Sequence, residues 1–318
     1  MTLMVINAGL QSTLQAGPNM GYRHIGMPHL GAADPLSLAL ANRLMNKPYD
    51  ATAIEISLSA TEFLSNVDMA FAITGGPCRI SVDGKAHAPH QRAAIRAGET
   101  LSIGPIEKGA RAYLALSRDI RSDVFLGNAS TYLTAKLGGF EGRSLQMNDQ
   151  IQLGNLDNLG HGGPDQDNAT PPSLRPHFSH DFLLRVCPGP EWNALNKAQK
   201  EHIASTRWRI SSRSNRMGLA LEGGHWSSPQ IASMDSAPVF PGTIQLPPDG
   251  TPYLLGPDAQ TTGGYPRILQ VIRADRHLIG QLPQGSNVTL LITSPEKAAI
   301  LYQNKCKLIE PWLGKFPL

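Results

Sequence analysis

The chain breaks into short apolar runs, most of them alternating or β-branched. "LMVINAG", "TAIEISL", "MAFAITG", "CRISVDG", "AIRAGETLSIG", "ARAYLALS", "DFLLRV", "RWRISS", "ILQVIRA" and "NVTLLITS" each read as a strand bounded by turn residues. Many short strands with Gly and Pro between them predict an all-β sandwich or barrel. Helical periodicity is confined to three stretches. In "DPLSLALANRLMNKP", Asp34 can cap, Pro35 suits the first turn, Leu36, Leu40 and Leu44 share a face, and Pro48 bounds the pattern. "EWNALNKAQKEHI" and "SPEKAAILYQNK" are shorter amphipathic candidates.

Residues 154–176 carry no periodicity and are dense in Gly, Asn, Asp and Pro, which marks a linker. It separates an N-terminal domain, 1–155, from a C-terminal one, 177–318, a sensible division for 318 residues. Each half carries an Asp-Gly turn (Asp83-Gly84, Asp249-Gly250) and a Gly-Gly pair (Gly75-Gly76, Gly263-Gly264), a hint of duplicated barrels.

Charge narrows the function classes. The net charge is only +3, and Arg207, Arg209, Arg213 and Arg216 are interleaved with Trp208 and Ile210 rather than massed, which argues against nucleic acid. The three cysteines are far apart and form no C-x-x-C pair, so reduced thiols in a cytoplasmic protein are expected. The start, "MTLMVINAGLQSTLQAG", lacks a basic n-region and a long apolar core, and no window approaches a membrane span.

Candidate chemistry is sparse. No P-loop and no G-x-S-x-G elbow occur. His87 and His90 in "KAHAPH", and His177 and His180 in "RPHFSH", have metal-pair spacing but lie on no convincing helix and near no carboxylate cluster, so no metal is expected. Cys78 reads as a small buried hydrophobe. Glu55 sits in the apolar strand "AIEISL": strict alternation turns it to solvent, whereas burial would require partners and perturb its pKa. Arg143 and Arg216 lie near glycines, where a guanidinium can clamp an anion or simply face water. "PDAQTTGGYPR" offers two threonines and two glycines; its amides can form an anion nest, or the glycines can supply positive φ in a plain hairpin loop.

The order of segments resembles the allophanate hydrolase subunit 2 family, which includes the C subunit of 5-oxoprolinase, KipA and part of urea carboxylase. The likeness runs from "GLQSTLQAG" through "GYRHIGMPHLGAADPLSLALANRLM", "AIEISL", "LGNASTYLTAKLGGFEGRSL" and "NRMGLALEG" to "PGTIQLPPDG" and "QTTGGYP", the last two being the most specific. The resemblance implies a mainly β fold of two cyclophilin-like β-barrel domains with a few short helices. It implies a component like the C subunit of an ATP-dependent 5-oxoprolinase, a hydrolase opening 5-oxoproline to L-glutamate. Its partners would be the B subunit (allophanate hydrolase subunit 1/KipI-like) and the LamB/YcsF-type A subunit of that enzyme. ATP would act in the complex, and biotin only if a partner supplies it.

The same resemblance nominates Glu55 and Asp258 for proton transfer or cation contact and Arg143 and Arg216 for anion stabilisation. It nominates Gln15, Asp34, Asn42, Arg43, Gln245, Gln260, Thr261, Thr262, Gly263, Gly264 and Tyr265 for substrate or nucleotide binding. Four positions depart from its motifs: Ala16, Asn19, Asn215 and Ala259 stand where it usually places an ionisable residue. A divergent member is expected, with altered substrate or weakened catalysis. The alternatives are a carboxyltransferase subunit of a biotin-dependent urea or amide carboxylase, and a KipA-type regulatory binding protein without catalysis.

Overall fold

The computed structural model describes residues 1–19, 21–156, 168–223 and 234–318. It divides into two compact units. The first comprises Met1–Pro18, Leu30–Phe178 and Trp312–Phe316; the second comprises Asn19–His29, Ser179–Pro311 and Pro317–Leu318. Each unit therefore owns a short segment from the far end of the chain. Within the expected linker, residues 157–167 lie outside the described residues.

The first unit is built on two sheets. A seven-stranded sheet runs in the order Arg118–Ile120, Gln150–Leu156, Thr2–Asn7, Thr61–Ser65, Thr100–Ile103, Ile80–Val82, Lys85–His87. A five-stranded sheet runs Gln11–Gln15, Ala53–Ser57, Arg111–Leu116, Met69–Gly75, Arg92–Ile95. One apolar cluster joins them, taking Leu3, Val5, Phe63 and Leu101 from the first and Leu14, Ile54, Ile56 and Leu114 from the second. Alternation supplies those inward rows. The hairpin joining Ile80–Val82 to Lys85–His87 turns on Asp83 (φ 46°) and Gly84 (φ 80°), both in the left-handed region that a two-residue turn requires.

Helix α1, Pro35–Leu44, starts as its sequence predicts. The Asp34 carboxylate accepts from the Ser37 N–H at 3.0 Å and the Ser37 hydroxyl at 2.6 Å, and Pro35 occupies the first helical position. α1 packs on Met69–Gly75 and Arg111–Leu116, so the five-stranded sheet is covered on both faces. Ala53–Ser57 is consequently buried at every residue, including Glu55, which is 2% exposed. The solvent-facing reading of Glu55 is thus overturned: alternation exposes a residue only when one face of the sheet meets water.

The second unit is a closed seven-stranded barrel: Asp181–Pro188, Arg267–Val271, Thr243–Gln245, Tyr253–Leu255, Gly218–Glu222, Arg207–Ile210, Asn287–Ile292. Its closing pair, Asp181–Pro188 with Asn287–Ile292, is parallel; the other pairings are antiparallel. Helix α2, Lys197–Ser205, opens with a capping box between Asn196 and Gln199. Helix α3, Pro295–Leu313, runs well beyond the stretch its periodicity suggested. The run "ILQVIRA" ends as a strand at Val271, and Arg273–Gln281 forms a 3-10 helix that the pattern did not foretell. The mainly β reading with a few helices agrees with the structure.

Candidate functional site

In the first unit the nominated polar residues are bound into the scaffold. Glu55 Oε2 accepts from the Ala33 N–H (2.8 Å) and the Tyr113 hydroxyl (2.8 Å), and Oε1 pairs with Arg111 Nε at 3.2 Å. The Tyr113 oxygen in turn accepts from the Asp34 N–H at 2.7 Å. Burial, then the Glu55 and Asp34 carboxylates, push the phenol well above its ordinary range, so it stays a donor. Glu55, Tyr113 and Asp34 thereby fix the start of α1 on the sheet.

Gln15 donates to Thr13 Oγ1 and the Thr131 carbonyl, both at 3.1 Å, while its buried Oε1 has no partner. Asn42 donates to the Ala51 carbonyl (2.8 Å), and Arg43 donates to the Trp312 carbonyl (2.9 Å) with its guanidinium 5.6 Å from that ring centroid. Arg43 therefore holds the segment Trp312–Phe316. Arg143 grips Asp149 with both terminal nitrogens (2.6 and 2.9 Å) and meets Glu141 at 2.7 Å. These pairs push its already high pKa higher, and the guanidinium serves its own loop.

The second unit gathers the nominated loop residues. Thr262–Gly263 pairs with Ala237–Pro238 in a two-stranded ribbon. Gln245 donates to the Tyr265 carbonyl (3.2 Å) and accepts from Gln260 Nε2 (3.3 Å). Neither Gly263 nor Gly264 has positive φ, contrary to the hairpin reading, and without a left-handed residue the pair does not alternate as an anion nest does. Gly263 leaves room for a side chain instead: a Cβ there would sit 2.6 Å from Gln245 Nε2 and displace that amide. Thr262 and Tyr265 are exposed, Thr261 partly so.

At the base of this loop, Arg216 and Asp258 form a buried bidentate pair, Nε to Oδ2 at 2.7 Å and Nη2 to Oδ1 at 3.0 Å. The backbone reinforces it, since Asp258 N–H donates to the Arg216 carbonyl at 3.2 Å. The two nominated residues thus meet each other and clamp the loop.

The four departing positions have structural roles. Asn215 Oδ1 accepts from the Met217 N–H at 2.8 Å, the turn bond an aspartate would also make. Ala16 bonds Ser130 Oγ through its N–H (2.9 Å), and Asn19 bonds the His29 carbonyl through its own (2.6 Å). Ala259 is buried with Val239 and Leu255. Beside it lies a guanidinium that sequence reading missed. Arg23 donates to the carbonyls of Val239 and Thr261, and its centre stands 4.7 Å from the centroid of the Phe240 ring. The only sequence cue was its place just after "GY" in the altered motif.

Among the described residues no group of three or more His, Cys, Asp or Glu side chains is placed to hold a metal. His90 is buried against Thr170 and His87 lies edge-on to Phe71. No described helix is long and apolar enough to cross a membrane.

Two sheeted units with these motifs define a carboxyltransferase-type domain. The chain matches the family model for the carboxyltransferase domain, subdomain A and B, over residues 25–291, and it belongs to that family. It is 33% identical over 310 residues to the C subunit of 5-oxoprolinase from Escherichia coli, covering 97% of this chain and 96% of that protein. It is 29% identical to the urea amidolyase of Lachancea kluyveri, covering 96% of this chain but 18% of that protein. The crystal structure of Kluyveromyces lactis urea carboxylase superposes with a TM-score of 0.89 at 26% identity, over 98% of this chain and 29% of that one.

Proposed function

We propose that the chain serves as the C subunit of a heteromeric 5-oxoprolinase that opens 5-oxoproline to L-glutamate with hydrolysis of ATP, in the cytoplasm. The observation that carries this reading is sequence likeness: the chain is 33% identical to the C subunit of 5-oxoprolinase over 97% of its residues, against 29% to the urea amidolyase over 96%. Its partners are relatives of the B subunit and of the LamB/YcsF-type A subunit. ATP belongs with those partners, because this chain has no P-loop and its Gly263-Gly264 amides form no phosphate nest. Within the complex, the ribbon and loop held by Arg216–Asp258 and Gln245 would present the substrate surface. Co-expression with both partners should give a stable complex that forms glutamate from 5-oxoproline only with ATP. A purified complex of all three proteins without ATP-dependent turnover would refute the reading.

A second reading, carboxyl transfer to urea or another small amide, is favoured by the family match and the likeness to urea carboxylase. It requires carboxybiotin on a separate carrier, so co-purification of a biotinylated protein would support it and failure to recover one would count against it.

A further inference from the structure

The five-stranded sheet of the first unit ends at the edge strand Arg92–Ile95, and the backbone groups of such an edge must be paired or covered. Where this strand begins, the cover comes from the last part of the expected linker. The Thr170 N–H donates to the His90 carbonyl at 2.9 Å and the Arg92 N–H to the Asn168 carbonyl at 2.8 Å, a single antiparallel bridge centred on Gln91 and Ala169. Arg175 Nε then donates to the Thr170 carbonyl at 2.9 Å, folding the segment back on itself. Residues 168–175 therefore lie along the edge as a strap fastened by one bridge rather than by a ladder.

A side chain completes the joint. His90 Nδ1 lies 3.3 Å from Thr170 Oγ1, and the ring also hydrogen-bonds the Gly75 backbone at the end of the strand Met69–Gly75, so one imidazole touches both strap and sheet. Thr170 is fully buried and His90 is 6% exposed. The His90 backbone is left-handed (φ 59°), a conformation that histidine adopts more readily than most residues, and its N–H donates to the Ile73 carbonyl at 2.7 Å. The sheet thus fixes the backbone of the latch, and the strap lies against its ring. From the strap the ring faces the charge of Arg175, and from the sheet the uncharged backbone of Gly75. The neighbouring His87 stands edge-on to Phe71 instead.

We propose that residues 168–175 are an acid-released strap, latched to the edge of the five-stranded sheet by His90. Burial first, and then the Arg175 charge, hold the imidazole at about 4 while the strap is docked. Release lets water reach the ring and takes Arg175 away with the strap, so the imidazole returns toward its ordinary value of about 6.5. The undocked state then takes up a proton that the docked state refuses. Docking is fully favoured above about 6.5 and is lost as pH falls toward 4, by roughly tenfold in its equilibrium constant for each pH unit. Release leaves the His90 carbonyl and the Arg92 N–H unpaired at the sheet edge. The device is independent of the activity proposed above.

The test is amide hydrogen exchange of the full chain between about pH 7 and 4.5, corrected for the intrinsic pH dependence of exchange. Thr170 and Arg92 report the strap, and Leu114, in a strand paired on both sides, reports opening of the whole unit. Thr170 and Arg92 should be less protected than Leu114, and their protection should fall by roughly 100-fold between about pH 6.5 and 4.5. His90→Asn, which suits the left-handed backbone and does not titrate, should make that protection flat over the same range, whereas His87→Asn should leave the acid loss unchanged. Equal protection at Thr170 and Leu114 at every pH would show that the strap leaves only with the whole unit and would overturn the proposal. So would protection in the parent that ignores pH, or an undiminished acid loss in His90→Asn. Should that variant fail to fold, NMR titration of the His90 ring in the parent carries the test: a midpoint well below 6.5 upholds the latch, and one near 6.5 with the strap still docked overturns it.

Discussion

Each unit buries an ionised pair but answers it differently: Glu55 in the first unit by a backbone N–H, a phenol and a guanidinium, Arg216 in the second bidentately by the Asp258 carboxylate. Nothing at Glu55 is left for a ligand to satisfy. Arg23 is answered by two backbone carbonyls and, among the described residues, by no carboxylate. Burial of an ionisable residue therefore does not separate scaffold from site, since a buried charge whose partners are all internal serves the fold.

The comparison can be broken first within the second unit. Arg216→Met should destabilise the protein by about 3–5 kcal/mol because it strands Asp258, and Asp258→Leu should do the same by stranding Arg216. The double variant should be far closer to the parent, measured by urea unfolding. If the singles are as mild as Arg23→Met, paired and unpaired arginines do not differ as described.

Acid sharpens the comparison in the first unit. Burial first, then the Arg175 charge, holds His90 at about 4, against an offsetting hydrogen bond with the Gly75 backbone. Between about 6.5 and 4 the unfolded chain binds a proton that the folded one does not, so stability is fully present above that range and is lost as pH falls through it. The loss at this residue should reach roughly 3 kcal/mol, and His90→Gln should remove it from the pH dependence of unfolding.

A smaller effect is expected at the loop. Gly263→Ala should cost about 1 kcal/mol and lower the unfolding midpoint slightly, because the new methyl displaces the Gln245 amide from the Tyr265 carbonyl. An unchanged midpoint, with the native rotamer of Gln245 kept, would show that close approach does not require this glycine.

Local signals in the sequence were legible. Asp34-Pro35 announced α1, Asp83-Gly84 announced its hairpin, and the alternating runs located most strands. What stayed hidden depends on neighbours remote in sequence. Alternation could not show that α1 covers the second face of the sheet bearing Glu55. Arg216 and Asp258 lie 42 positions apart, and their glycine and proline surroundings gave no sign that they pair. The resemblance nominated the loop 257–267, but not what shapes it: Gly263 is there for the Gln245 side chain, not for its φ. Residues 90, 170 and 175 share no motif, and only the fold brings strap and imidazole together.

The difference between a buried charge answered by a charged partner and one answered by carbonyls is tested most directly by a pair of variants compared for unfolding free energy. Glu55→Gln should lose about 3 kcal/mol of stability. Arg23→Met should lose less, about 1 kcal/mol, for the hydrogen bonds to the Val239 and Thr261 carbonyls. The opposite pattern, in which Arg23→Met unfolds the protein as readily as Glu55→Gln, would contradict the account.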